Sequence, residues 1–308
     1  MAVPDELAGL RLDQALAKMF PDFSRSRLKS WLVAGAVLVD GESRRPKDRV
    51  DGGEQVELTI VTELAVRSAP EPISLDVVFE DDDLLVINKQ AGLVVYPGAG
   101  NPTGTLMNGL LHHSPALAEL PRAGIIHRLD KDTTGLMMVG KTLAAHTALT
   151  RALAEREVSR HYVAVCRGVL TGGGKIDEPI GRHPVDRTRM TIRQDGRPAV
   201  THFTVRERYR AHSFVDVKLD TGRTHQIRVH FAHRRHALLG DGVYGGRLGL
   251  PAGATAALID ELRGFKRQAL HAAQLKLLHP VSGDELVLDA AIPEDFAHLL
   301  DVLRADNK

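Results

Sequence analysis

The chain has 308 residues, 43% of them hydrophobic and 26% charged, so it is long enough to bury a substantial core and is not disordered by composition. Its 40 basic and 39 acidic side chains give a formal net charge of +1, so any nucleic-acid contact must come from local basic patches. The single cysteine, Cys166, excludes an internal disulfide framework and a CxxC zinc site, and with no apolar run near the ~20 residues that span a bilayer it predicts a cytoplasmic protein.

The first sixty residues predict two short helices followed by strands. The predicted elements are helices over 12–20 and 25–33 and strands over 36–39 and 55–60. Pro21 ends the first helix, Ser24 is a suitable N-cap for the second, and Gly35 follows the second as its C-terminal signal. The first strand enters an Asp-Gly pair typical of a hairpin turn.

Basic residues cluster in this small module and predict an RNA-contacting surface. They are Arg25, Arg27, Lys29, Arg44, Arg45, Lys47 and Arg49. Arg25 and Lys29 lie one helical turn apart and share a face of the second helix, so we predict RNA contacts for Arg25, Arg27 and Lys29. A merely solvated surface is the alternative. The order of elements, with Arg-Leu-Asp at 11–13 and Ser-Arg-Ser-Arg-Leu-Lys at 24–29, resembles the S4 RNA-binding domain.

The remainder of the chain predicts a larger domain after a linker rich in proline. The predicted limits are 11–62 for the S4-like domain, 63–73 for the linker and 74–305 for the large domain. Its predicted elements are strands over 75–78, 84–89, 160–165, 214–219, 270–277 and 285–288 and helices over 105–112, 142–157 and 223–234. We expect an α+β fold in which the large domain has a twisted, mainly antiparallel mixed sheet with a central cleft.

The stretch from Gly124 to Leu136 has the most unusual local pattern in the chain. Two isoleucines lead into a group of charges, and Thr-Thr-Gly then precedes a new apolar run, which predicts a strand, a sharp turn and a strand. Asp130 lies at the mouth of this turn between Arg128 and Lys131, which favour its ionised form and can hold a polyanion beside it. The alternative is a solvated ion cluster of little energetic consequence.

A second unusual stretch, Thr-Gly-Arg-Thr-His-Gln-Ile-Arg-Val-His, occupies 221–230. Arg223 lies at a predicted strand-to-helix turn, where its planar guanidinium is placed to pair bidentately with a buried carboxylate. The histidines of this region lack the HExxH spacing, so a metal site is only a minor alternative. The glycine run at 172–174 fails as a phosphate-binding loop because Ile176 occupies the Ser/Thr position, so a hairpin turn is predicted there.

These two stretches, with Gly-Asp-Gly-Val-Tyr-Gly-Gly at 240–246, resemble the RluA/RluD family of pseudouridine synthases over about residues 11 to 305. The resemblance is strongest to the RluD type, whose members act on large-subunit ribosomal RNA. It implies isomerisation of specific uridines in 23S rRNA or a subunit precursor, in particular the helix-69 stem-loop, with no metal, nucleotide or redox cofactor. It also implies that the target base is flipped out of the folded RNA.

The resemblance further implies the roles of individual residues. Asp130 matches the catalytic aspartate, which acts as a nucleophile at the sugar or as a base on it. Arg223 matches the arginine that pairs with that aspartate, and Tyr162 matches the tyrosine that stacks on the base and assists removal of the C5 proton. Further RNA contacts are predicted for His127, Arg128, Lys131 and Arg228.

Two other functions stay open on the sequence alone. A glycosidase would use Asp130 and Asp132 as a pair of carboxylates, but two residues apart on an irregular turn they need not converge. A catalytically silent RNA-binding or ribosome-assembly protein of the S4 type would use the cleft only to hold RNA. Asp130 would then be dispensable.

Overall fold

The computed structural model describes residues 1–20, 25–59, 69–98 and 100–307, and for residues 25–27 and 30 it describes the backbone alone. The chain divides into two compact units, Met1–Arg67 and Ser68–Lys308. Ser24, most of the linker predicted over 63–73, and the side chains of Arg25 and Arg27 lie outside the described residues. Within the described ranges, no helix is long and apolar enough to cross a membrane.

The first unit contains two helices and a two-stranded sheet. Its elements are α1 (Leu12–Met19), α2 (Arg25–Val33), β1 (Val37–Val39) and β2 (Val56–Leu58). Both helices form where apolar spacing predicted them, and their apolar faces enclose Leu16, Leu28 and Trp31. The Asp-Gly turn forms, with Asp40 in a left-handed conformation, but it does not link the paired strands, because β1 pairs antiparallel with β2 much further along the chain.

The second unit is built on a nine-stranded mixed sheet. Its strands are β3 (Val77–Glu80), β4 (Leu84–Lys89), β5 (Thr134–Gly140), β6 (Ser159–Arg167), β7 (Gly174–Asp177), β10 (Val200–Arg208), β11 (His212–Leu219), β12 (Leu270–Leu278) and β13 (Glu285–Asp289), and β8 (Ile180–Arg182) and β9 (Met190–Ile192) form a separate hairpin. The helices are α3 (Leu106–His113), α4 (Leu143–Ala154), α5 (Gln226–His233), α6 (Ala256–Gly264) and α7 (Glu294–Asp306). Three short 3₁₀ helices, Asp5–Leu7, Pro115–Glu119 and Pro121–Gly124, complete the regular structure of the described residues.

The strand order is β3-β4-β5-β12-β6-β11-β10-β7, and β13 pairs with β12 beside this path. Every strand pair is antiparallel except β5 with β12, so the α+β class and the mainly antiparallel mixed sheet are confirmed. Apolar side chains on opposite faces of the sheet, such as Ile87 and Val215 in one cluster and Val163 and Phe214 in another, form separate buried cores.

The parallel contact at the centre of the sheet requires a glycine. Gly135 has φ +112°, and a Cβ atom there would lie 2.3 Å from the carbonyl oxygen of Ala272. One residue earlier, the hydroxyl of Thr134 is hydrogen-bonded to Nδ1 of His271 at 2.8 Å. These contacts join the segment that begins β5 to a strand that is distant in the chain.

The predicted strand before the Asp130 turn is wrong. Residues 125–133 form an irregular loop whose one ladder contact within the described residues is the bridge between Ile125 and Val139. Side chains bind the backbone of this loop in place of a neighbouring strand, as shown below. The sequence analysis also missed the strands β7 to β10 and the helices α6 and α7.

Candidate active site

A cleft of about 440 Å³ opens in the second unit. Its walls are the loop that precedes β5, one face of β6 and the turn that leads from β11 into α5. Asp130, Tyr162 and Arg228 all line it, together with further arginines. The two unusual stretches of the sequence therefore meet across one cavity.

The loop that carries Asp130 is held by a buried lysine. Nζ of Lys89 donates hydrogen bonds to the carbonyl oxygens of Gln90 at 2.7 Å, Leu93 at 3.0 Å and Lys131 at 2.9 Å. Burial lowers the pKa of Lys89 to about 8, although the charges of Asp132 and Asp130 oppose this change. Lys89 thus holds the backbone next to Asp130, at Lys131, in place.

The far side of the same loop is bound by residues just before β12. Nε2 of Gln268 donates to the Thr133 hydroxyl at 2.9 Å, and Nη1 of Arg267 lies 3.5 Å from the Asp132 carbonyl oxygen. Within the loop, the Thr133 N–H donates to the Asp130 carbonyl oxygen at 3.1 Å. The position of Asp130 is therefore determined by side-chain donors from distant parts of the sequence.

Arg228 on α5 is the partner of the Asp130 carboxylate. Its Nη1 donates to Oδ2 of Asp130 at 2.9 Å, and its Nε and Nη2 form a bidentate pair with Asp241 at 2.7 and 2.9 Å. The side chains of Asp130, Arg228 and Asp241 are 16%, 7% and 0% exposed. One guanidinium thus bridges two carboxylates in a largely desolvated position.

In this bridge, Arg228 and Asp241 each stabilise the charged form of the other. Burial disfavours the ionised form of Asp241, but hydrogen bonds and the charge of Arg228, with the N–H groups of Tyr244 and Val243, outweigh it and lower the pKa of Asp241 below its usual value. Burial likewise opposes the charge on Arg228, yet the two carboxylates raise its pKa. Arg228 therefore stays charged beside Asp130.

The predicted pairing of Arg223 with Asp130 is wrong. Nε of Arg223 donates to the Pro198 carbonyl oxygen at 3.1 Å, and its backbone N–H donates to the side chain of Gln226 at 3.0 Å. The reason is where the helix begins: α5 starts at Gln226, so Arg223 stays in the preceding turn. Arg228 lies in the helix and faces the carboxylate, which leaves it little exposed surface for the RNA contact predicted for it.

His225 and Tyr244 form a second contact to the aspartate that the sequence analysis did not find. Nε2 of His225 lies 3.7 Å from Oδ1 of Asp130, and its Nδ1 is hydrogen-bonded to the Tyr244 hydroxyl at 2.8 Å. The Tyr244 ring lies 5.1 Å from Cζ of Arg228, and its hydroxyl accepts the Met190 N–H at 2.9 Å. Burial lowers the pKa of His225 despite the charge of Asp130, so its ring is neutral at pH 7.

The motif at 240–246 contained the signal for these residues. It supplies both Asp241 and Tyr244 to the site, although residue spacing alone assigns neither of them a role. The hydrogen bonds that the Asp241 carboxylate accepts from the N–H groups of Val243 and Tyr244 curl this segment around the guanidinium of Arg228.

Tyr162 is buried on β6 and contributes its ring to the cleft. Burial raises the pKa of its hydroxyl, the charge of Arg160 opposes the rise, and that of Asp130 adds to it. Tyr162 is therefore neutral at pH 7. An uncharged aromatic ring beside a carboxylate provides a surface on which a base can stack.

The residues predicted to contact RNA have different surroundings. Nε2 of His127 accepts the Met138 N–H at 3.2 Å, and desolvation together with Arg160 lowers the pKa of His127 to about 3, so this ring is neutral and holds β5. Arg128 is exposed on the wall of the cleft, Lys131 is exposed beside it in the chain, and Lys29 is exposed on α2 of the first unit.

The carboxylates of the site do not form the pair that a glycosidase needs. Among the described residues, Asp130 and Asp220 line the cleft and Asp132 does not, and Asp220 is paired with Nε2 of His202 at 2.9 Å. The second carboxylate near Asp130 is Asp241, and it is fully occupied by Arg228 and backbone N–H groups. Within the described ranges, no cluster of three or more His, Cys, Asp or Glu side chains is suited to a metal ion.

Comparison with known proteins agrees with this geometry. Residues 83–233 match the family model described as RNA pseudouridylate synthase, and residues 10–56 match the model of the S4 domain. The chain belongs to the RNA pseudouridylate synthase family, and the family recognised from the sequence is confirmed.

Two curated relatives and one solved structure show how far the similarity extends. The chain is 56% identical over 305 residues to the ribosomal large subunit pseudouridine synthase D of Xanthomonas campestris, covering 99% of this chain and 92% of the relative. It is 54% identical over 305 residues to the protein of that name from Escherichia coli K12, covering 99% and 94%. The structure of human RNA pseudouridylate synthase domain containing 4 aligns with a TM-score of 0.59 and 27% identity, covering 74% of this chain and 93% of that one.

Proposed function

We propose that this enzyme isomerises specific uridines of large-subunit ribosomal RNA to pseudouridine. The observation that carries the proposal is the Asp130 carboxylate, held by Arg228 in a cleft whose wall is the Tyr162 ring. The similarity to relatives named ribosomal large subunit pseudouridine synthase D supports the choice of RNA.

The reaction breaks the bond between N1 of the base and C1′ of the sugar, turns the base, and joins C5 to C1′. Asp130 acts on the sugar as a nucleophile or as a base, and in both roles the hydrogen bond from Arg228 orients its carboxylate. The C5 proton leaves and N1 gains one, so the product is an isomer. In this proposal Arg228 takes the role predicted for Arg223, and Tyr162 stacks on the flipped base.

The finer parts of the proposal concern the substrate and its binding. We propose the helix-69 stem-loop as the target, in free 23S rRNA or in a subunit precursor, and a cytoplasmic location. Arg25, Arg27 and Lys29 of the S4 domain and His127, Arg128 and Lys131 at the cleft are the proposed RNA contacts. The proposed domain limits stay at 11–62 and 74–305, and no cofactor enters the reaction.

The experiment is release of tritium from ribosomal RNA labelled at C5 of uridine. The natural chain should release tritium and Asp130→Asn should release none, while Asp132→Asn, the matched change of a neighbouring carboxylate, should keep the activity. Retained activity in Asp130→Asn would refute the assignment of this residue.

The same samples separate the two other functions. Release of free uracil in place of isomerised RNA would indicate glycosidase chemistry. Equal RNA binding by the natural chain and Asp130→Asn, with no tritium release by either, would indicate a protein that only holds RNA.

A further inference from the structure

Arg160 is a buried cation in the cleft that the proposed reaction does not use. It lies on β6, two residues before Tyr162 on the same face of the strand, and only 6% of its surface is exposed. Both side chains line the cleft that contains Asp130. Its Nε is buried and has no hydrogen-bond partner among the described residues.

The surroundings of Arg160 differ from those of the other buried arginine in the cleft. Arg228 is almost equally buried, but it is neutralised by Asp130 and Asp241. Within the described ranges, no carboxylate forms an ion pair with Arg160, and no group accepts a hydrogen bond from its side chain. Burying the Nε–H of a charged guanidinium without a partner is costly, so this position is suited to an anion that arrives with the substrate.

A glycine, Gly222, leaves room for the guanidinium of Arg160. A Cβ atom on Gly222 would lie 2.6 Å from Nη1 and 3.6 Å from Cζ of Arg160. Gly222 belongs to the turn before α5, so the guanidinium packs between β6 and that turn, at the wall of the cleft. A larger residue at 222 would displace it.

We propose that Arg160 binds a phosphodiester group of the RNA backbone next to the flipped uridine. Uracil is neutral, and the phosphates are the anionic groups that RNA brings into such a cleft. The planar fork of an arginine pairs bidentately with phosphate oxygens, and such a pair can include the buried Nε–H. The phosphate then fixes the sugar over Asp130, because Arg160 and Tyr162 lie on one face of β6. This inference rests on the proposed function.

The test removes the charge from each side of the contact in turn. RNA substrates carry one neutral methylphosphonate at the phosphate on the 5′ side or on the 3′ side of the target uridine. The sugar whose 3′-oxygen carries the methylphosphonate is 2′-deoxy, so that the linkage is stable. For the linkage on the 3′ side this sugar is that of the target uridine. Each modified RNA is therefore compared with an unmodified RNA that has the same 2′-deoxy sugar and an ordinary phosphate. Tritium release gives kcat/KM for the natural chain and for Arg160→Gln on each RNA.

We expect one of the two methylphosphonates to lower kcat/KM of the natural chain by roughly 10- to 100-fold, the range of a hydrogen bond to a charged group. Arg160→Gln should lower kcat/KM to a similar extent on unmodified RNA. On the RNA that carries this methylphosphonate, kcat/KM of Arg160→Gln should fall no further. Arg160→Lys should recover part of the activity, because it restores the charge without the fork. Arg263→Gln, which removes a cation from an exposed position on α6, should stay as sensitive as the natural chain.

Further measurements separate anion binding from a structural role. Because the charge is buried without a partner, Arg160→Met should resist denaturant at least as well as the natural chain, whereas a structural role predicts a loss. Gly222→Ala should weaken the methylphosphonate effect by displacing the guanidinium.

Additive losses from Arg160→Gln and both methylphosphonates would overturn the inference while leaving the proposed function intact. Absence of tritium release by the natural chain from unmodified RNA would overturn both.

Discussion

Replacement of Asp241 by asparagine tests the buried bridge at the centre of the site. The Asp241 carboxylate is 0% exposed and accepts hydrogen bonds from Arg228 at 2.7 and 2.9 Å, from the Val243 N–H at 2.9 Å and from the Tyr244 N–H at 3.0 Å. In Asp241→Asn an NH₂ group replaces one of the two oxygens and faces a donor. The guanidinium then keeps one carboxylate, Asp130, in place of two.

Removing one partner of a buried ion pair costs about 3–5 kcal/mol where the other charge is left without compensation. Arg228 keeps Asp130, so we expect the free energy of unfolding of Asp241→Asn to fall by about 3 kcal/mol, the lower end of this range, at pH 7. The pKa of Asp241 is lowered in the folded chain, so its stabilising effect is present above the unfolded pKa of about 4 and is lost as the pH falls through the lower folded value. The difference between the two proteins should therefore shrink below about pH 4.

The assay is urea unfolding, followed by the rate of tritium release. Glu207→Gln is the matched control, since Glu207 pairs with Arg304 at 2.7 Å but the two side chains are 35% and 45% exposed. An exposed pair contributes about 0–1 kcal/mol. We expect Asp241→Asn to lower kcat more than it raises KM, because a loosened Arg228 no longer orients Asp130. Equal losses of stability in the two variants, with unchanged kcat, would refute this reasoning.

Three further predictions follow from contacts in the second unit. Burial lowers the pKa of Lys89 to about 8, so between about pH 8 and 10.5 the unfolded chain binds more protons than the folded chain, and the free energy of unfolding should rise by about 3 kcal/mol. Lys89→Met should abolish that rise in urea titrations, and an unchanged rise would contradict the prediction. Gly135→Ala should lower the melting temperature sharply, because its Cβ would meet the Ala272 carbonyl oxygen at 2.3 Å, and a wild-type melting curve would disprove the close approach. Tyr244→Phe should cost about 1–3 kcal/mol in denaturant, since it leaves its partner at Nδ1 of His225 unpaired, and a loss below 0.5 kcal/mol, roughly, would argue against that contact.

The sequence was sufficient to predict those helices and strands whose formation depends on a short, local pattern of residues. The apolar spacing of α1 and α2 predicted both helices, because their buried faces repeat along a short segment. Strand β11 was predicted correctly from a local pattern too, since apolar residues at 215, 217 and 219 alternate along it and pack into one buried core. By contrast, β10 has half-buried residues on both faces, and its pattern is too weak to recognise.

The site could be predicted only as far as its chemistry lies within single motifs. Asp130 and Tyr162 come from such motifs, and the structure places both in the cleft. The choice between Arg223 and Arg228 depended on where α5 begins, and the left-handed His225 that precedes it has no sequence signal of its own. Asp241 was missed because its importance comes from a contact across space, which residue spacing does not reveal.

The contacts of Arg267, Gln268 and His271 with the Asp130 loop have a consequence for the order in which parts of the enzyme form during synthesis. Gln268 and Arg267 bind Thr133 and Asp132, and His271 binds Thr134, so the loop and its partners are separated by more than 130 residues of chain. During synthesis from the N-terminus, the S4 domain and the loop emerge long before these partners do. A nascent chain therefore completes its S4 domain before the Asp130 loop is held in place, and the cleft takes its final form only once residues 267–271 have been made and β12 has joined the sheet.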